Sequence, residues 1–262
     1  MNTSNNYWTI DYALDLVRKA ANPSYGIEDH EAIKHLVAQK NTGDPNALYA
    51  YAYLLRGYNG ANEEFNLSLE QTESTFFNIF WELSEQDHPQ ACDEMVKCDN
   101  SYIFAHKYIT KEDLFAKKQQ CAKVALEHNL SNYMYYADTF LFGLNDEYAS
   151  DLMLKDSPYL DDNHKELVAQ AIPLYEKQAQ KMGLEYCFGR MVEAYHQGIG
   201  VEQNTITAAA WAKLIKERVT YQSVYKNVNW VKAIYPVFEY PSIQESEEFK
   251  TLYAQLQKLP QW

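Results

Sequence analysis

The chain has 262 residues, a formal net charge of −13, and 47% apolar and 15% aromatic residues. It can therefore bury a large core, which excludes wholesale disorder, and its negative balance argues against nucleic acid or an anionic membrane as a partner and favours a basic one. Eight prolines and nine glycines among many Ala, Leu, Lys, Glu and Gln favour helices over strands, and 22 tyrosines supply stiff, amphipathic contact area.

Trp8, Tyr12, Leu16 and Ala20 recur at helical spacing and predict a helix over about 7–20. Asn22-Pro23-Ser24-Tyr25-Gly26 breaks it, a second helix is expected over about 28–40, and Asn41-Thr42-Gly43 ends that one. Asp44-Pro45 is a strong helix start, because Asp caps well and Pro suits the first helical position. The helix that follows turns Ala47, Ala50 and Leu54 toward a partner and stops at Gly57, and the segment to Asn66 reads as a long loop. Ser68 with Gln71 forms a capping box for a helix to about Glu85 that carries Phe76, Phe77, Phe80 and Trp81. Asp87-His88-Pro89 repeats the break before a short helix over 91–96. Thr110 with Asp113 caps a helix to about His128, and Ser131 opens another that ends at Gly143. Unit starts at Asp44, Asp87 and Leu130 are 43 residues apart. A fourth start near Gly183 comes 53 residues later, after an acidic insert at 144–162 and a helix that Pro173 is expected to start or kink.

The stretch 184–217 is the most regular. Leu184, Cys187, Met191 and Tyr195 form one helical face, Gly198-Ile199-Gly200-Val201 turns a corner, and Ala209, Trp211, Ala212 and Ile215 mix small and bulky residues on the next helix. In Met191, Tyr195, Gly198, Gly200, Val201, Ala208 or Ala209, and Trp211 this stretch resembles a Sel1-like repeat, a relative of the tetratricopeptide repeat, with Val192 where the family usually has glycine. The resemblance extends in weaker form to 44–57 and 131–143. It implies an all-α solenoid of antiparallel helix pairs forming a superhelix with divergent end caps. The expected organisation is one helical-repeat domain over 1–262, with an N-terminal pair at 1–43, repeats at 44–218 and a C-terminal cap at 219–262. The resemblance further implies a protein-binding adaptor whose first helices line a concave surface; some such proteins act as immunity proteins for bacterial toxins.

No residue pattern points to catalysis, a cofactor or a metal. His30, Glu31 and His35 resemble H-E-x-x-H, but an i,i+5 pair lies about 140° apart around a helix, whereas zinc needs both rings on one face. Gly198-Ile199-Gly200 follows a helix and lacks the Lys-Ser/Thr of a phosphate loop, so it reads as a repeat corner. Cys92, Cys98, Cys121 and Cys187 stand far apart with no C-x-x-C, which suggests reduced, buried thiols. The start lacks the features of a signal peptide and nowhere do 18 apolar residues run together, so a cytoplasmic location is expected.

Two surfaces emerge as candidate binding sites. Between Arg56 and Lys97 there is no Lys or Arg, yet nine acids fall there, and the insert adds more. Glu63 and Glu64, with Asp151 and Asp156 of the insert, are the expected contacts of an acidic face that docks a basic partner. The second is a stripe found by aligning the glycines that end the repeat helices: Tyr49, Tyr53, Tyr135, Asp138, Tyr186, Arg190 and Glu193 would line the concave groove if Cys187, Met191 and Tyr195 face the core. These features favour a non-enzymatic interaction protein, most sharply a cytoplasmic bacterial immunity protein that neutralises a toxin or effector. A regulatory adaptor is the alternative within that class, and an enzyme or small-molecule binder using the groove is the alternative outside it.

Overall fold

A computed structural model describes residues 9–22, 26–58, 60–141 and 162–260. Their regular structure is helical apart from two two-residue strands, β1 (Ala21–Asn22) and β2 (Gly26–Ile27), which pair antiparallel across the Pro23 break. The chain divides into two compact units: Met1–Ile109 with Gln120–Leu130, and Thr110–Gln119 with Ser131–Trp262. The chain crosses between the units at 109/110, within a helix at 119/120, and at 130/131.

The first unit contains α1 (Ile10–Ala20), α2 (His30–Lys40), α3 (Pro45–Gly57), α4 (Ala61–Glu64), α5 (Leu69–Glu85), α6 (Pro89–Lys97), α7 (Asn100–His106) and the second part of α8 (Lys111–Glu127). The starts of α3 and α5 are fixed by local chemistry. Asp44 accepts the Ala47 N–H while Pro45 occupies a position whose N–H would have no helical partner. Ser68 accepts the Gln71 N–H and the Gln71 side chain accepts the Ser68 N–H, the full reciprocal box. Helices α1, α2 and α3 pack on one another and α3 packs on α5. Their small positions, Ala13, Ala47 and Ala50, are fully buried and allow Leu16, Leu36 and Leu54 to interdigitate.

The second unit contains the start of α8, α9 (Tyr133–Leu141), α10 (Asp162–Met182), α11 (Glu185–Gln197), α12 (Thr205–Arg218), α13 (Lys226–Ile234), a 3-10 turn over Tyr235–Phe238, α14 (Pro241–Gln244) and α15 (Glu247–Leu256). Helix α10 packs on α9 and α11, α11 on α12 and α13, and α12 on α15. Ala208, Ala209, Ala210 and Ala212 flank Trp211 on α12 with little side-chain bulk, and Trp211 is buried at 2% exposure with its ring 5.4 Å from that of Phe188. Gly198 (φ 70°) and Gly200 (φ 71°) both adopt the left-handed conformation expected of the corner.

Several expectations need correction. The segment 58–66 is not only loop, since α4 forms there, with left-handed Gly60 and Asn66 on either side. Helix α7 was not foreseen. Pro173 neither starts α10 nor ends it but lies inside it, where its missing N–H leaves the Ala169 carbonyl without its helical donor. At that same turn Gly200 touches α10: a Cβ on Gly200 would stand 2.7 Å from the Ala169 nitrogen. The expected C-terminal cap at 219–262 consists of α13, the 3-10 turn, α14 and α15.

Candidate functional site

In the first unit, charge is sorted by depth. Of the nine acids between Arg56 and Lys97, Asp93 and Glu94 on α6 are buried, whereas Glu63, Glu64, Glu70, Glu73, Glu82, Glu85 and Asp87 are exposed. The two cations that bracket the stretch turn to the buried pair. Lys97 reaches Glu94 at 2.6 Å and Asp93 at 3.1 Å, and the Arg56 guanidinium also donates to Glu94. Burial works against the Lys97 charge, but Glu94 and Asp93 outweigh it and hold its pKa above the ordinary lysine value. Neither cation is left to neutralise the outer acids. On α5, Glu70, Glu82 and Glu85 fall within roughly 120° of one another around the axis.

Tyr49 is packed inside this unit, between Phe80 (ring centroids 5.5 Å apart) and His88 (5.4 Å). The Ala91 N–H donates to His88 Nδ1, so Nε2 carries the proton and donates to Asn46 Oδ1 at 3.2 Å. Burial holds this neutral histidine below its ordinary pKa and pushes the Tyr49 hydroxyl far above its own.

In the second unit a buried polar network joins three helices. Asp138 of α9 accepts the Tyr175 hydroxyl of α10 at 2.5 Å and the Tyr186 hydroxyl of α11 at 3.0 Å on the same oxygen, Oδ1. Arg190 Nε and Nη2 donate to the Tyr186 hydroxyl oxygen at 3.2 and 3.1 Å, and Nη1 donates to Glu193 at 2.9 Å. Burial raises the Glu193 pKa, partly offset by Arg190. Beside it, Glu185 accepts from Ser223 at 2.6 Å and from Tyr221 at 3.3 Å, and Asn227 of α13 donates to the Tyr186 carbonyl at 3.0 Å. These bonds order the α11–α13 contact, where Gly189 leaves room for the Asn227 amide.

Between α12 and the segment from Tyr235 to Gln244 lies an open recess of about 480 Å³ lined by Lys213, Lys216, Glu217, Tyr235, Glu239 and Gln244. Its charges are mutually engaged: Lys216 pairs with Glu239 at 2.5 Å and stands 4.1 Å over the Tyr235 ring, and Lys213 lies 4.7 Å over Tyr253, whose hydroxyl donates to Glu217.

The residues expected to form one concave stripe fall in both units. Tyr53 and Tyr135 are exposed at 37% and 42%. Tyr49, Arg190 and Glu193 are buried at 4%, 3% and 3%, so they are internal packing groups rather than a surface, and Asp138 and Tyr186 belong to the network above. The reason is that α11 is covered by α10, α12 and α13 together, so no face of it points to solvent as a single covered side would require. Glu63 and Glu64 are exposed and lie on α4, with Glu64 3.0 Å from His30. Asp151 and Asp156 lie outside the described residues. Sequence reasoning missed Tyr175, the third member of the network, which carries no spacing signal relative to Asp138. It also missed the Lys97–Asp93–Glu94 cluster, whose i,i+3 and i,i+4 spacing was readable. None of the four cysteines forms a disulfide, and no helix among the described residues is long and apolar enough to cross a membrane. The chain matches no protein-family profile, no curated protein and no solved structure.

Proposed function

We propose that the protein is a non-enzymatic scaffold that binds a basic protein through the outer acids of its first unit. The observation that carries this reading is the sorting of charge by depth: the bracketing cations Arg56 and Lys97 are committed to Glu94, and Glu63, Glu70, Glu73 and Glu82 stay exposed with their field uncancelled by those cations. Such a field raises the encounter rate with a positive partner.

In the same reading the helices belong to a Sel1-like solenoid of antiparallel pairs. The left-handed residues support it. Gly43, Asp87, Asn129 and Gly183 each sit immediately before or at an expected unit start, and Gly198 and Gly200 turn the corner within the last pair. The sharpest form is a cytoplasmic immunity protein that masks a basic toxin or effector; a regulatory adaptor would use the same surface.

Affinity capture from native cells tests it. The wild-type chain is compared with a variant carrying Glu63→Gln, Glu70→Gln, Glu73→Gln and Glu82→Gln, after circular dichroism shows both equally helical. The expected result is a basic protein held by the wild type and lost or weakened with the variant. Equal capture by both, or an acidic partner, would contradict the proposal. If a small metabolite instead protects the chain and Lys216→Ala abolishes that protection, the recess beside Tyr235 is the binding site and the scaffold reading fails.

A further inference from the structure

On the reading that the partner is basic and meets the outer acids of the first unit, we propose that Trp81 is where an arginine of that partner docks, and that the chain's own Lys107 holds the place until it arrives. An ammonium is already seated on this surface: Lys107 Nζ lies 5.4 Å from the centroid of the Trp81 ring. Acids are plentiful on α5, yet Lys107 forms no ion pair among the described residues and settles on the ring instead. Local structure brings the two together. Phe76 stacks on Tyr102 with ring centroids 6.4 Å apart, and Phe77 meets Tyr102 at 5.4 Å and His106 at 5.2 Å. These rings hold α7 to α5. Lys107 closes α7, its N–H donating to the Ile103 carbonyl at 2.8 Å, and Trp81 stands one turn of α5 beyond Phe77.

Trp81 is partly exposed and stands among the acids. At 100° per residue it lies about 20° from Glu70 and about 40° from Glu85 around the α5 axis. Its indole N–H donates to Glu85 Oε1 at 2.7 Å. That bond fixes the ring, and a carboxylate at the N–H edge adds to the negative potential that an indole face offers a cation. Glu85 is exposed and makes no ion pair among the described residues. An ammonium is a compact charge, whereas a guanidinium can lie flat on the indole and still donate to a carboxylate beside it. An arginine therefore gains both the ring and Glu85, where Lys107 gains the ring alone. Displacing Lys107 costs little, because exposed cation–π contacts are weak. A surface without a cation leaves Lys107 in place, so the exchange also selects the partner.

The test uses the full chain, with the peptide acetyl-(Gly-Arg)3-amide as probe and the Trp81 indole N–H resonance, assigned with Trp81→Phe, as local readout. In the wild type that resonance should shift saturably with peptide. Lys107→Gln removes the competing ammonium and should tighten the binding read there by about two- to fivefold, the worth of an exposed cation–π contact. Lys123→Gln makes the same change in net charge at an exposed lysine of the same unit and should leave that binding nearly unchanged. Glu85→Gln keeps an acceptor for the indole N–H but removes the charge, and should weaken it. The peptide acetyl-(Gly-Lys)3-amide should bind more weakly than its arginine counterpart. An unmoved indole resonance, equal effects of Lys107→Gln and Lys123→Gln, or equal binding of the two peptides would overturn the proposal and leave the acidic docking surface standing. Equal capture of the partner by the wild type and the four-Gln variant, with the indole shift intact, would instead remove the docking surface and keep the Trp81 site.

Discussion

Gly198 and Gly200 share a left-handed φ, yet the surroundings ask different things of them. A Cβ on Gly198 would stand 3.0 Å from the Gln203 Cβ and 3.3 Å from its backbone nitrogen, a tight contact that a shift of a few tenths of an ångström relieves. One on Gly200 would stand 2.7–2.8 Å from the backbone of Val168 and Ala169 in α10, where the helix backbone cannot give way. Gly198→Ala should therefore cost about 1 kcal/mol, the ordinary penalty of the left-handed region, and Gly200→Ala about 2 kcal/mol or more. Urea denaturation of the two variants checks the order; equal losses would mean the α10 contact does not hold. The need for glycine was legible in the sequence, but its reason at Gly200 was not, because the contact joins residues far apart in the chain. Arg190 and Glu193 make the converse point. Helical phase alone placed them opposite Cys187 and Met191, and so at a surface, yet they are buried because three helices surround α11. Periodicity reveals one covered face and cannot reveal a helix covered on every side when its polar groups satisfy one another.

Element boundaries were legible wherever a cap set them. Asp44-Pro45, the Ser68/Gln71 box and Thr110 with Asp113 placed the starts of α3, α5 and α8 correctly, since the cap bonds are local. Ser68→Ala should accordingly cost about 1 kcal/mol in thermal unfolding, and a cost near zero would show that tertiary packing alone holds the end of α5. Helix α7 was missed because seven residues give too little periodicity, although Asp99 caps it by accepting the Ser101 N–H at 2.8 Å. Of the two expectations for Pro173, start or kink, its place inside α10 excludes the start, and α10 accepts it in mid-helix while packed on α9 and α11. In α6 the cluster that turns the bracketing cations inward predicts a further effect. Lys97→Ala removes the ammonium shared by the buried Asp93 and Glu94, and should cost about 2–3 kcal/mol. Glu94→Gln in the Lys97→Ala background should restore part of that loss. Denaturant titration of the single and double variants measures it, and additive losses would show that Lys97 and Glu94 are not coupled.

For the whole molecule, the charge of −13 is a statement about encounter rather than fold. The helical class followed from composition and spacing, because many Ala, Leu, Lys and Glu with few breakers leave little else to form. The division into two compact units was only partly legible: the crossings at 109/110 and 130/131 fall at breaks the sequence shows, whereas the one at 119/120 lies within α8, where the sequence carries no break. The exposed acids of the first unit could be picked out as a run, but which of them point outward depends on Arg56 and Lys97 folding back on Glu94. The association rate of the captured basic partner as a function of salt is the decisive measurement. Steering by Glu63, Glu70, Glu73 and Glu82 should make that rate fall roughly tenfold or more between low salt and about 0.5 M, with the four-Gln variant slow and nearly salt-independent throughout. A wild-type rate that ignores salt, or a four-Gln variant that associates as fast as the wild type, would contradict the proposal that these acids are the docking surface.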